Sequence, residues 1–133
     1  MTLERSGATY LLGCCLVLLA TPSAAQENSI RIDVGRLYDQ LLDLWELRSI
    51  EARHQRACLL NEKAESLRDK QRQVAQEAEE KLVIARAENK SDVLEEIAAH
   101  VQAKVLFEEV TRVNGYAQAM CFAYGDKDLR LAD

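Results

Sequence analysis

The sequence predicts an all-α protein: a long antiparallel helical hairpin, coiled-coil-like, with an additional N-terminal amphipathic helix able to close a three-helix bundle. Three observations carry that expectation. No proline occurs after Pro22, and alanine, leucine, glutamate, glutamine, lysine and arginine dominate the residues beyond it. Apolar and small residues recur at alternating spacings of four and three over most of that length. One polar interruption, Asn89-Lys90-Ser91-Asp92, lies almost midway between Cys58 and Cys121.

The first 25 residues read as a cleavable signal peptide. Arg5 precedes an unbroken apolar run, Leu11 to Ala20, and Ser23 and Ala25 are small at the positions before a cut at Gln26. The run of ten residues is too short for a bilayer-spanning helix, which needs about 20. Cys14 and Cys15 would leave with this leader. The remaining pair, Cys58 and Cys121, would face an oxidising compartment, where a disulfide is the expected state. The expected destination is the periplasm, with the extracellular space as the other. A stable membrane span after cleavage is not expected.

Residues 26–125 read as one helical domain with helices at about 30–56, 57–88 and 92–124, and 126–133 as a short tail. In the first helix Ile30, Val34, Leu37, Leu41 and Leu44 recur on one face, widened by Tyr38, Leu42, Trp45 and Ile50. The second carries a weak seam of Leu60, Ala64, Leu67, Gln71, Val74 and Ala78, continued by Leu82 and Ala85. At the interruption, Asn89 suits a left-handed helix end, and Asp92 with Glu95 reads as a capping box. Leu94, Ile97, Val101 and Val105 begin the seam of the third helix; Leu106, Val110, Val113, Ala117, Met120 and Tyr124 continue it to a stop at Gly125-Asp126.

Antiparallel neighbours share a constant index sum. The layers Ala85–Leu94, Leu82–Ile97, Ala78–Val101 and Val74–Val105 all sum to 179. Gln71–Glu108, Ala64–Gly115 and Leu60–Ala119 lie on the same register, and so does Cys58–Cys121. The cysteine pair would then staple the hairpin's open end, worth ~4 kcal/mol for so long a loop. Two features strain this register: Leu67 would face Arg112, and Cys58 lies off the Leu60–Leu67 stripe, so a bend or a rotated seam is expected near residues 56–60.

The net charge of −5 disfavours nucleic acid and anionic membrane surfaces as partners. There is no nucleophile elbow, glycine-rich phosphate loop or Cys-x-x-Cys, so an enzyme is not expected, nor a cofactor. His100 has no acid or nucleophile at a catalytic spacing. Asn89-Lys90-Ser91 is a glycosylation sequon, meaningful only in a eukaryotic secretory pathway. Residues 30–50 must find a cover for their apolar face, either within the chain or on another protein. Leu37, Tyr38, Leu41, Leu42 and Trp45 are the candidate partner-binding residues, for a protein partner or for self-association.

The functional expectation is an exported helical interaction or structural protein, an accessory subunit or chaperone of an envelope assembly such as a secretion or pilus system. The alternative is a metal-binding or redox-sensing module built on His54, Cys58 and Cys121, with Met120 adjacent. His54 and Cys58 are four apart on one helical face, and the hairpin would bring Cys121 beside them.

Overall fold

The computed structural model describes residues 26–126. The leader expected in 1–25 and the tail after Asp126 lie outside the described residues. The chain divides into two compact units, Met1–Ile32 and Asp33–Asp133. Of the first, residues 26–32 are described: a helical stretch in which Arg31 and Glu27 pair one turn apart.

The second unit has the expected all-α architecture. Residues 33–42 are helical and are called α1; a single 3-10 turn, Asp43–Glu46, comes directly after them. Helices α2, Ile50–Ala87, and α3, Leu94–Gly125, form a long antiparallel hairpin. Val34, Leu37, Leu41 and Leu44 bury the face of α1 and its 3-10 extension within the chain. Tyr38 lies 6.3 Å from Tyr116, ring centre to ring centre, so α1 lies beside the open end of the hairpin.

The break between α1 and α2 comes at 43–49, well before the expected residue 56. No proline or glycine marks it. The chain turns there because local partners take up the freed backbone groups. Ser49, extended at φ −113° and ψ 151°, accepts a hydrogen bond from the Ala52 N–H and caps α2. Arg53 donates to the Leu47 and Trp45 carbonyls at 3.0 and 3.3 Å.

The hairpin turn obeys local chemistry closely. Asn89 is left-handed, at φ 56°. The Lys90 N–H bonds the Ala85 carbonyl and the Asn89 N–H bonds the Arg86 carbonyl, which together make a Schellman closure. Asp92 accepts from the Leu94 N–H at 3.0 Å. The carboxylate that reaches back across the turn is that of Glu96, to the Lys90 ammonium, whereas the expected box used Glu95.

The seam itself departs from the expected layers at the turn end. In α2 the buried positions are Ala57, Leu60, Ala64, Gln71, Leu82 and Ala85; in α3 they are Ala103, Leu106, Val110, Val113, Asn114, Ala117 and Tyr124. Val74, Leu94, Val101 and Val105 are exposed, and so are Glu108, Gly115 and Ala119. Those residues therefore do not belong to the buried seam. The buried positions of α3 follow one 3-4 stripe from Ala103 through Leu106, Val110, Val113 and Ala117, and Leu94, Val101 and Val105 lie off it.

Polar side chains bridge the two helices. Asn114, almost fully buried, donates to Asn61 Oδ1 at 2.8 Å and accepts from Arg68 at 2.7 Å. Gln71, also buried, donates to the Ala103 carbonyl at 3.1 Å. Asn61 and Arg68 are one heptad apart, so Asn114 sits opposite the midpoint between them.

Candidate functional site

Two groups of side chains meet at the open end of the hairpin. The first is the cysteine pair with His54. Ala57, Ala64 and Ala117 are completely buried there. Such small residues bring the backbones near enough that cysteines flanking the seam can meet. Cys58 and Cys121 are disulfide-bonded with Cα atoms 4.7 Å apart, inside the usual range of about 4.4–6.8 Å. Helix α2 runs unbroken through Cys58, and Ala57 beside it is part of the buried seam. Both cysteines are half-buried.

His54 stands one turn before Cys58. A nitrogen of its ring and the two Sγ atoms all lie within 4.8 Å of one another. The ring rests on Gly125, the last residue of α3; a Cβ built there would come 2.7 Å from Nε2 and 3.1 Å from Cδ2. Gly125 does not have positive φ, so the helix ends there without the expected left-handed glycine, and the space a Cβ would take is occupied by the His54 ring.

The second group surrounds Arg53. Its guanidinium lies 5.3 Å from the Trp45 ring centre and 6.0 Å from that of Tyr124. Both distances are within cation–π range. One arginine thus joins the 3-10 turn, α2 and the end of α3. Trp45 nonetheless remains 71% exposed and Leu42 60%.

The five residues expected to bind a partner divide. Leu37 and Leu41 are buried in the chain's own core, Tyr38 is half-buried against Tyr116, and Leu42 and Trp45 face solvent. Sequence reasoning did not anticipate Arg53 or Gly125. Arg53 sits in a charged run with nothing to distinguish it, and Gly125 was fully accounted for as a helix stop.

His100 is half-buried on α3, away from both groups. At the hairpin turn, the hydrogen bond from Lys90 holds the Glu96 carboxyl below the ordinary glutamate value, and the Glu96 carboxylate raises Lys90. Among the described residues no helix is long and apolar enough to cross a membrane. No family model, curated protein or solved structure matches the chain.

Proposed function

We propose that this is an exported helical interaction protein, an accessory or chaperone-like component of an envelope assembly, that docks a protein partner through the surface around Leu42 and Trp45. The observation that carries the reading is Trp45. It is the chain's one tryptophan, and it is held in place by Arg53 on one side while most of the indole faces water. Leu42 is exposed three residues before it, and tryptophan is enriched among residues that dominate binding energy at interfaces. The remaining apolar face of α1 is already used internally, so the docking surface is small and centred on this turn. The leader-like pattern of residues 1–25 and the Cys58–Cys121 bond both suit a chain that works outside the cytosol.

The test uses the full chain in its source cells with a photo-crosslinking residue at position 45 or, as control, at exposed Gln73 on α2. The reading predicts a discrete adduct from position 45 that disappears when Leu42 is also changed to serine, and none from position 73. Equal labelling from both positions, or none from position 45, would overturn it.

A further inference from the structure

Going beyond that surface, we propose that His54, Cys58 and Cys121 form a thiol-gated site for one thiophilic d10 cation, zinc(II) or copper(I), closed while the disulfide is intact and opened by reduction. Three independent features of the fold converge on it. The donor atoms are already gathered, within 4.8 Å of one another. Metal–sulfur and metal–nitrogen bonds of about 2.3 and 2.0–2.1 Å place donors a little under 4 Å apart, so the set needs shifts on the order of 1 Å. The scaffold is rigid: His54 and Cys58 share a face of α2, and completely buried Ala57 and Ala117 hold α3 against it. Finally, Gly125 provides a seat for the imidazole that a side chain would occupy, although its backbone conformation does not require glycine.

The chemistry balances with a dithiol reductant of the thioredoxin-like class. A reductant thiolate attacks one sulfur of the Cys58–Cys121 bond, and the other leaves as thiolate. The reductant's second thiol then resolves the mixed disulfide. Two electrons and two protons pass to the chain, and the reductant ends as its own disulfide. The cation displaces the two thiol protons and takes the neutral His54 nitrogen as third ligand, with no change in its oxidation state. Two sulfurs and one imidazole favour soft d10 ions over calcium or magnesium. The half-burial of all three residues leaves a path for both reductant and ion.

The experiment measures metal retained after gel filtration of the full chain, oxidised or reduced with a phosphine, with zinc(II) and copper(I) offered separately. Circular dichroism tracks helicity in each sample. The site predicts one equivalent of at least one of the two ions in the reduced protein and none in the oxidised protein. His54→Gln should lower affinity by about tenfold or more. Gly125→Ala should do the same, by pushing the ring aside, while keeping its helix, because alanine is the better helix former. If reduction melts the hairpin, the ion should restore its helicity. Retention of neither ion, equal retention by oxidised protein, or unchanged affinity in His54→Gln would each overturn the proposal.

Discussion

Arg53 serves three elements at once. It donates to two carbonyls of the α1–α2 junction and spans the Trp45 and Tyr124 rings. Arg53→Ala should therefore destabilise the fold by about 2–3 kcal/mol, since charge-assisted hydrogen bonds and cation–π contacts are lost together. Arg53→Lys should recover less than half of this, because an ammonium lacks the planar fork that reaches both carbonyls. Urea unfolding of the two variants checks both numbers; equal stability of Arg53→Ala and the parent would show the junction to be held elsewhere. A second prediction at this scale concerns Glu96. Its carboxyl is lowered by Lys90, so its contribution is present above the unfolded-state value and fades as pH falls through the lower folded value. Lys90 is raised, so its own contribution is full below its unfolded value and fades as pH rises through the folded one. The pair is solvent-exposed and its effect on stability small. The readout is the carboxyl carbon shift of Glu96 by NMR: it should titrate below an ordinary glutamate and move back up in Lys90→Met.

At the scale of the element, the turn and the seam behave differently. The turn is a local device that short-range rules describe well. Asn89 at φ 56° carries the left-handed residue, so Asn89→Ala should cost about 1 kcal/mol, whereas Asn89→Gly should stay within ~0.5 kcal/mol of the parent. Thermal unfolding of both variants tests this. The seam contrasts two buried amides. Asn114 is bonded on both sides, and removing it takes the amide partner of Asn61 and one of the partners of Arg68, which keeps Asp69; Asn114→Ala should cost about 1–3 kcal/mol. Gln71 makes one bond to a carbonyl, and its Oε1 has no partner among the described residues. Gln71→Leu should therefore be neutral or stabilising. If the order of these two variants were reversed, Gln71 would be the stronger bridge between the helices.

The same contrast explains what could be read from the chain alone. The turn and the cysteine pairing were legible because capping and disulfide geometry depend on a few residues. The α1 face was legible because five large apolar residues repeat on it. The turn half of α3 was not. Leu94, Val101 and Val105 have the expected spacing and greater hydrophobicity, but the helix turns Ala103 inwards. Ala103 continues the 3-4 stripe of Leu106, Val110, Val113 and Ala117 towards the turn, whereas Leu94, Val101 and Val105 lie off that stripe, so following their hydrophobicity leads to the wrong face. The exposed state of Leu42 and Trp45 was similarly hidden, since it results from a break at 43–49 that rests on Arg53 and Ser49.

At the scale of the molecule, the core of the hairpin thins from its stapled half to the turn. Leu60, Ala64, Leu106, Val110, Val113 and Ala117 retain 0–1% exposure, whereas Leu82, Ala85 and Ala103 retain 6–8%. Around the latter, Val83, Ile84, Leu94 and Val101 stand in solvent. Two long helices with a thin core at one end should open from that end, because opening free energy tracks the buried apolar contacts of each segment. The staple sits at the other end, next to the part that α1 also covers. Its chain-entropy effect, ~4 kcal/mol for a separation of 63 residues, acts on global unfolding more than on fraying of the turn. Hydrogen exchange should therefore show amides of 60–68 and 106–117 exchanging slowest, and those of 80–86 and 98–103 at least tenfold faster, about 1.4 kcal/mol or more. In a Cys58→Ser, Cys121→Ser double variant the slow group should lose most of its protection while the turn half changes little. Uniform protection along both helices of the parent, or an equal loss at both ends in the double variant, would mean that the hairpin opens as one unit and that its core is not graded.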